Sequence, residues 1–362
     1  MLRQTPFPFL TLPIKMRILK NMENTKTIYD IAKEAGVSAS TVSRVVNGKP
    51  GINQKTRKKV QALLDQYHYS PNEAARGLVM QASGMIGLLI EDIRVEHHTE
   101  AAYCIEQELT HQNYTCITLS TGSDPVRKAS CIRILEQRRV EGVILIGSMF
   151  GTPEVKDSIC RYLPGVPIVM VNGFLDLPNV YAVTVDEERG VEQCVEFLSG
   201  RGRRHVAFVQ DLETPANQKK LRGFQTAMLR LGIAAENQIV YRVEADTATG
   251  PVSALMRGRA ATKQLLEEHP DTDAILYAVD LQAIGGMEVL QEKDIRIPEE
   301  IAVIGVDNTL YGRICTPRLT TLNNKLAEAS KHASQVLLGA LEGKEASHHI
   351  QLPTELIERE TT

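Results

Sequence analysis

Eight short apolar runs recur from Met85 onward, and each is followed by a stretch of helical character. In order they read MIGLLIE, TCITLS, GVILIG, IVMVN, AVTV, HVAFVQ, AILYAV and IAVIGV. Strands that are apolar on both faces and alternate with helices are typical of parallel sheets covered on both sides. Because roughly 280 residues exceed one tidy sheet, the pattern predicts an α/β body of two lobes.

Nucleotide-binding motifs are absent from this body. No GxGxxG follows the first strand, and no GxxxxGK[ST] occurs anywhere. The GxSxG motif is also missing, and no nucleophile sits on a strand-to-helix turn. The sequence therefore predicts no cofactor and disfavours an enzyme.

A second pattern precedes the body, in the stretch TIYDIAKEAGVSASTVSRVVNG at residues 27–48. Thr27 can cap a helix over IYDIAKEA, and Gly36 can close it with left-handed backbone. Ser38 can then cap a second helix. Ala32 and Val42 suit a close crossing, because one is small and the other is branched and apolar.

The intervals from Ala32 to Gly36 and from Gly36 to Val42 are those of the DNA-binding helix-turn-helix. Asn53 is expected to cap a third helix that buries Val60, Leu63 and Leu64 and exposes Lys55, Arg57, Lys58 and Lys59. A generic three-helix bundle is the alternative. The polar outer side of the second helix counts against it, with Ser38, Ser40, Thr41, Ser43, Arg44 and Asn47.

Charge is distributed unevenly along the chain. Residues 25–78 hold nine Lys or Arg against four Asp or Glu, whereas residues 79–362 carry a net charge of −11. A basic head on an acidic body indicates a polyanionic partner for the head alone.

The segment YSPNEAARGL, residues 69–78, is a further signal. Pro71 biases Ser70 toward extended backbone, and NEAARGLV is long enough for only about two helical turns. A helix that short is marginal in water, so it is expected to order only when a partner holds it.

The cysteines and the first residues bear on compartment. Six cysteines without a CxxC pair fit neither a zinc site nor a disulfide framework, which favours a reducing cytoplasm. Residues 1–24 are interrupted by prolines and basic side chains and make a poor signal peptide or membrane span. They are either a disordered arm or the product of a mis-set start, with Met22 as the true first residue.

From Thr27 to Arg359 the chain resembles the lactose-repressor and galactose-repressor (LacI/GalR) family of bacterial transcription regulators. Besides the two head segments, the resemblance rests on MIGLLIED, RRVEGVILIG, VPIVMVN, IAVIGVDN, TPRLTTL and LIERE. It implies a small all-α helix-turn-helix head at 25–69, a hinge helix and linker at 70–83, and an effector-binding and dimerisation body at 84–362.

The resemblance implies that the body is a two-lobed, type I periplasmic-binding-protein-like parallel-sheet domain with three crossovers. Lobe 1 would hold about 84–184 plus 324–347, and lobe 2 about 185–323 plus 348–362. A ligand would lie in the cleft, at the carboxyl ends of the strands.

Residue by residue, the resemblance places Ala39 and Ser40 at base-reading positions, with Arg44 close behind. Phosphate contacts are expected from Tyr29, Ser38, Thr41, Ser43 and Asn47. Leu78 would enter the minor groove as an apolar wedge, with Ala75 where two hinge helices approach. The alternative is that Leu78 is a linker residue packed on the body.

The effector contacts implied are His97, His98, Asn172, Lys220, Asp280 and Asp307. The sequence departs from the family pattern at four positions. The family commonly has aromatic residues at the positions of His97 and His98, arginine at that of Lys220, and a polar residue at that of Val279. The two histidines could instead bind a metal, although adjacent side chains rarely reach one ion. Asp280 and Asp307 could instead cap helices.

Together these features predict a homodimeric, cytoplasmic and nucleoid-associated repressor without membrane attachment. Its partners would be a near-palindromic double-stranded DNA operator and a small effector, a sugar or sugar derivative that controls carbohydrate-utilisation genes. A nucleobase or an acidic metabolite is the alternative effector, and a solute-binding protein is a remote alternative function. No leucine heptads follow LIERETT, which favours a dimer over a tetramer.

Overall fold

The structure is a computed structural model and describes residues 26–46, 48–67, 69, 83–242, 250–344 and 347–362. The chain divides into two compact units, one ending at Ala82 and the other beginning at Ser83. The first is all-α where it is described, and the second is α/β, as predicted.

The first unit contains three helices around one small core. They are α1 (Ile28–Ala35), α2 (Ala39–Val46) and α3 (Gln54–Gln66). Ala32 and Val42 are buried at 4% and 0% exposure, as the crossing of α1 and α2 requires. Val60 and Leu64 are buried with them, whereas Leu63 is only half-buried.

The predicted helix ends are confirmed. The Thr27 hydroxyl accepts from the amide of Asp30, and the Asp30 carboxylate accepts from the amide of Thr27 at 2.9 Å, which is a reciprocal capping box. Gly36 has φ +70°, the left-handed conformation that closes α1. The Asn53 side chain caps α3 by accepting from the amide of Lys55 at 2.9 Å.

The second unit is built on two six-stranded sheets. The strands are β1 (Met85–Ile90), β2 (Thr115–Ser120), β3 (Gly142–Ile146), β4 (Ile168–Val171), β5 (Val180–Val185), β6 (Val206–Gln210), β7 (Ile239–Arg242), β8 (Ala274–Tyr277), β9 (Ala302–Val306), β10 (Thr320–Asn323), β11 (His349–Leu352) and β12 (Glu355–Ile357). The first sheet has the order β11-β5-β4-β3-β1-β2, and the second β12-β10-β9-β8-β6-β7. Among the described strands only β10 and β12 pair antiparallel.

Nine helices of the described body connect and cover these strands. They are α4 (Glu96–Thr110), α5 (Pro125–Gln137), α6 (Pro153–Tyr162), α7 (Glu187–Gly200), α8 (Pro215–Arg230), α9 (Pro251–Glu268), α10 (Asp280–Glu292), α11 (Leu310–Ile314) and α12 (Leu326–Leu341). Each sheet carries an apolar cluster on each face, so its central strands are buried on both sides. The carboxyl ends of the parallel strands therefore carry the loops that line a cleft.

The chain passes between the two sheets three times, after β5, after β10 and after β11. The expected boundary at residue 348 is wrong, because β11 pairs with β5 in the first sheet, with His349 opposite Ala182. The final strand β12 does lie in the second sheet. HIQL carries only two apolar residues and lies at a sheet edge, so hydrophobicity gave no sign of its partner.

Among the described helices, none has both the length and the apolar character needed to cross a membrane.

Candidate functional site

The amino end of α2 carries a cluster of hydroxyl groups. The Ser38 Oγ lies 2.8 Å from the Ser40 Oγ and 2.9 Å from the Thr41 Oγ1, and it also accepts from the Thr41 amide at 3.2 Å. Ser38 thus caps α2 as predicted. Hydroxyls and free amides at a helix start suit a phosphate oxygen.

The outward side of the helix pair holds most of the expected DNA contacts. Tyr29 is 74% exposed, and Ser40 and Arg44 are also exposed. Ala39, Thr41 and Ser43 are half-buried along the same short helix. The remaining three expected contacts, Asn47, Ala75 and Leu78, lie outside the described residues.

Two basic side chains of α3 form hydrogen bonds to backbone carbonyls within the first unit. Arg57 donates to the carbonyl of Lys49 at 2.7 Å, and Lys59 donates to the carbonyl of Ala35 at 2.8 Å. They tie α3 to the ends of the two preceding helices. Lys55, Lys58 and Lys59 are exposed, as predicted, whereas Arg57 is half-buried.

In the body, His97 and His98 lie in the first turn of α4 and not in the loop before it. His98 is 5% exposed, with its Nδ1 3.3 Å from the carbonyl of Asp92. Burial lowers the pKa of His98 to about 3, and the neighbouring His97 contributes to this shift. Within the described part of the chain no three His, Cys, Asp or Glu side chains gather as a metal site needs.

His97 faces the other lobe. Its Nδ1 lies 4.0 Å from the Oδ2 of Asp307, and 39% of its side chain is exposed. Desolvation within the cleft lowers the pKa of His97 to about 4, and the charge of Lys220 adds to this effect. The contact with Asp307 at neutral pH is consequently between a neutral ring and a carboxyl group.

Asp307 belongs to a polar cluster that we call the acceptor cluster: Lys220, Glu187, Asn324 and Asp307. The Asn324 Nδ2 donates to the Asp307 Oδ1 at 2.9 Å and lies 3.4 Å from the Glu187 Oε1. The Lys220 Nζ lies 3.6 Å from the same Glu187 oxygen and donates to the carbonyl of Ala278 at 2.9 Å. One hydrogen-bonded cluster thus joins three elements of the second lobe and the crossover after β10.

The charges within the acceptor cluster are unequal. Burial opposes the charge of Lys220, but attraction by Glu187, Asp307 and Asp211 outweighs burial and raises its pKa. Burial raises the pKa of Asp307 to about 6, and the nearby Asp211 adds to the rise while Lys220 and Asn324 oppose it. Lys220 is thus the one basic side chain of the cluster and faces two acidic side chains, Glu187 and Asp307.

Asn172 follows β4 and is the first lobe's polar contribution. It has φ +56°, its amide donates to the carbonyl of Val183 at 2.8 Å, and its Oδ1 is buried. Among the described residues that oxygen has no hydrogen-bond partner. Asn172 thus carries a buried acceptor that no described donor satisfies.

Asp280 does not line the cleft, contrary to the expectation. It is 0% exposed, and its oxygens accept from the Thr309 amide at 2.7 Å, the Thr309 hydroxyl at 2.9 Å and the Thr321 hydroxyl at 2.6 Å. It does not cap its own helix α10 either. Asp280 is better described as an anchor for the loop that carries Asp307.

Several polar residues of this region escaped the sequence analysis. The Arg257 Nη2 donates to the Asp211 Oδ1 at 2.6 Å, and the Gln282 Nε2 donates to the same oxygen at 3.1 Å. Arg257 lies on the buried face of α9 among the small residues Ser253, Ala254 and Gly258. A charged residue among small ones at helical spacing could have indicated a buried ion pair. Glu187 lies two residues after the end of β5, and this position was a signal as well.

A cavity of about 580 Å³ opens beside the acceptor cluster and includes residues of both lobes. His97 and Asp307 line it, together with the neutral side chains of Asn308 and Leu326. Its lining carboxylates are Glu96, Glu100, Asp307, Glu328 and Glu355, and its lining cations are Arg313 and Lys325. The cavity is therefore acidic.

Two hydrogen bonds join the lobes across this region. The Glu96 Oε1 accepts from the amide of Leu310 at 2.8 Å, and the Ser148 Oγ accepts from the amide of Ala216 at 3.3 Å. A ligand in the cleft would thus lie between surfaces that already contact each other.

Comparisons with known proteins agree with this architecture. The family "Bacterial regulatory proteins, lacI family" matches residues 27–72, and "Periplasmic binding protein-like domain" matches residues 195–362. Catabolite control protein A of Priestia megaterium is 30% identical over 339 residues, covering 93% of this chain and 99% of that protein. The chain belongs to the LacI family.

Other LacI-family proteins match over similar lengths. The HTH-type transcriptional repressor PurR of Vibrio atlanticus is 29% identical, with 92% of this chain and 98% of the relative covered. The crystal structure of the Lac repressor dimer bound to operator and the anti-inducer ONPF has a TM-score of 0.82 and 26% identity, and covers 93% of this chain and 98% of that one. The chain is thus a DNA-binding transcriptional regulator with an effector-binding body, and not an enzyme.

Proposed function

We propose that this LacI-family chain is a homodimeric repressor that binds a near-palindromic operator, and that a small carbohydrate in the cleft controls its operator affinity. The observation that carries the DNA-binding half is the outward face of α2, where Ser40 and Arg44 are exposed above a buried apolar crossing. Such a protein would act on chromosomal DNA in the bacterial cytoplasm.

At the operator, Arg44 is the best candidate for direct reading of a base. A guanidinium can bind guanine through two hydrogen bonds, and such a pair is worth about 1–3 kcal/mol of discrimination. Ala39 and Ser40 are short, so they would contact thymine methyls or act through water. Tyr29, Ser38, Thr41, Ser43 and Asn47 would bind phosphates and fix the register.

Leu78 and Ala75 remain in this proposal on the strength of the sequence resemblance alone. An apolar wedge between base steps costs a few kcal/mol of unstacking, and the bend that it allows brings further contacts. Leu78→Ala is accordingly expected to weaken operator binding.

Dimerisation has a candidate surface in the body. The short helix α11 exposes Leu310 at 56%, Tyr311 at 42% and Ile314 at 67%. Three large apolar side chains on one five-residue helix are unusual for a free surface and suit a self-complementary contact. A two-fold pair would present two α2 helices to successive major grooves.

The effector proposal rests on the hydrogen-bonding state of the cleft. Asn172 Oδ1, Glu187 Oε2 and Asn324 Oδ1 are buried acceptors for which the described residues supply no donor. A buried acceptor without a donor costs free energy, so a ligand rich in donors would be favoured there. A hydroxyl-rich carbohydrate meets this requirement.

An acidic metabolite fits the cleft less well. Lys220 is engaged by Glu187, and Arg257 is engaged by Asp211 at 2.6 Å. An anionic effector would have to compete for cations that are already paired. By linkage, a bound effector alters operator affinity only through its different affinities for the two arrangements, typically by about 1–3 kcal/mol.

The test is selection of duplex DNA from a random pool by the full-length chain. We expect an enriched near-palindrome that Arg44→Ala binds about tenfold or more weakly, with relaxed preference at one base pair per half-site. Lys58→Ala, which removes an exposed charge from α3, is the matched control and should keep the same base preference. Failure to enrich any sequence would contradict the proposal.

A further inference from the structure

The acceptor cluster has more negative charge than its own ammonium can balance. Around Asp307 the ionisable groups are Lys220, Glu187, Asp211 and the buried Asp280. Asp211 is matched by Arg257 at 2.6 Å, and Asp280 has Arg359 nearby. Lys220 can balance only one of the two remaining carboxylates, those of Glu187 and Asp307.

The uncompensated charge lies deep in the protein. Glu187 is 1% exposed, and its Oε2 has no donor within the described part of the chain. The Asn324 Oδ1 beside it is equally without a partner there. His97 cannot supply the missing charge near neutrality, because its pKa is lowered to about 4.

The adjoining cavity has the same sign. Five carboxylates and two cations line it, and the Lys325 Nζ already lies 4.0 Å from the Glu355 Oε2. An approaching cation is thus attracted first by the cavity and then by the cluster. An anion is repelled by both.

From these observations we propose that the cluster of Glu187, Asn324 and Asp307 is a subsite for an ammonium group, so that the effector is an amine-bearing carbohydrate. The inference rests on the proposed carbohydrate effector and adds the charge of one of its groups. An ammonium has three donors, which matches the two orphan oxygens and the Asp307 carboxylate. Charge-assisted hydrogen bonds of this kind are stronger than neutral ones.

A metal ion is the competing occupant, and the geometry disfavours it. The described His, Cys, Asp and Glu residues form no group of three that could hold an ion. The amide oxygen of Asn324 and the separated carboxylates suit a group that binds by directed hydrogen bonds.

The experiment is a titration of the full-length chain with two matched sets: glucose, glucosamine and glucuronate, and galactose, galactosamine and galacturonate. Thermal stability and calorimetry are the readouts. We expect an amino sugar to bind at least about tenfold more tightly than its neutral partner, and the uronate to bind most weakly. Equal binding within both sets, preference for a uronate, or no response to either amine would overturn the inference.

Two variants locate the effect. Asp307→Asn and Glu187→Gln keep the shape of each side chain and remove one charge, and each should lower amino-sugar affinity more than neutral-sugar affinity. Glu267→Gln removes the same charge from an exposed position on α9 and should leave the ranking unchanged. A stabilising response to Mg²⁺ or Ca²⁺ with none to the amines would assign the cluster to a metal instead.

Operator binding by the unmutated chain is measured in parallel with the sugar titrations. If the chain binds its operator but shows no preference for amino sugars, the ammonium subsite is wrong and the proposed function stands. Loss of operator binding defeats the proposed function, whatever the ranking of the sugars.

Discussion

Lys220 illustrates what a single residue can do when its neighbours are considered. The sequence resemblance implied that Lys220 contacts the effector, but the structure buries this side chain at 4% exposure. Its ammonium bonds to the carbonyl of Ala278 and balances Glu187. Glu187 follows β5 and lies 33 residues before Lys220 in the chain, so no local sequence pattern predicted this ion pair.

Removing the Lys220 ammonium should lower the free energy of unfolding substantially. Lys220→Met leaves the Glu187 carboxylate buried without a counter-charge, and breaking one side of a buried pair typically costs about 3–5 kcal/mol. Chemical denaturation of the full chain measures the loss. Lys219→Met, at the half-buried neighbouring position, should change stability by less than about 1 kcal/mol. Equal effects of the two variants would contradict the buried pairing.

Asp280 predicts a pH dependence of stability. Burial raises its pKa to about 7, with Asp307 adding to the rise, against the ordinary value of 3.8. The folded state therefore holds a proton that the unfolded state has lost, so Asp280's stabilising contribution is full below pH 3.8 and disappears as pH rises through about 7.

Asp280→Asn tests this titration through the difference in unfolding free energy between wild type and variant. We expect the unfolding free energy of the wild type, relative to that of the variant, to fall by roughly 4 kcal/mol as pH rises from 4 to 8. Asp176→Asn alters an exposed carboxyl group and should give a much flatter difference. A difference for Asp280→Asn that is independent of pH would show that this carboxyl group does not titrate as described.

At the scale of elements, the helix pair of the head was predictable because its ends are fixed locally. Thr27, Gly36 and Asn53 act on residues no more than five positions away, so the sequence contains their partners. Gly36 is the sharpest case, since no atom outside its chain neighbours lies within 4 Å of the position that a Cβ would take. Only its backbone conformation requires glycine.

Gly36→Ala should therefore destabilise the turn between α1 and α2 by about 1–2 kcal/mol, the cost of a left-handed conformation with a Cβ. Amide hydrogen exchange in α1 and α2 measures the local loss. Gly36→Asn is the conservative comparison, because asparagine tolerates this conformation better, and it should lose less protection. The reverse order would mean that something other than φ determines the residue.

The strands divide into those that hydrophobicity could predict and those that it could not. All eight apolar runs became strands. Seven of them are inner strands, which must be apolar on both faces, and the eighth, β2, lies at a sheet edge. TTLN and HIQL at β10 and β11 contain too few apolar residues to be recognised as strands. IVYR at β7 was missed although three of its four residues are apolar. Their pairing depends on the chain returning to a sheet formed elsewhere.

The candidate site divides in a similar way. His97, Asn172 and Asp307 were predicted from strand ends and resemblance, and the structure brings His97 and Asp307 to the cavity. Glu187, Asn324, Asp211 and Arg257 were missed. They converge only through tertiary contacts. Asn324, for example, contacts Asp307, which is 17 residues away, and Glu187, which is 137 residues away.

At the scale of the whole molecule, the body is arranged so that ligand binding and the contact between lobes are linked. The Leu310 amide of α11 bonds to Glu96 of the other lobe, next to the cavity, and α11 also carries the apolar side chains proposed for dimerisation. An effector that alters the fit of the lobes would thus act on the dimer contact at the same element. That is the physical route by which the cleft could control the head.

The proposed regulation depends on specific binding of duplex DNA by the head. The most direct measurement is a titration of the full-length chain with its selected near-palindrome against a random duplex of equal length over a series of salt concentrations. We predict a preference on the order of 10³-fold or more, with the logarithm of affinity falling steeply and linearly with the logarithm of salt. Equal affinity for the two duplexes at every salt concentration would contradict sequence-specific DNA binding by this chain.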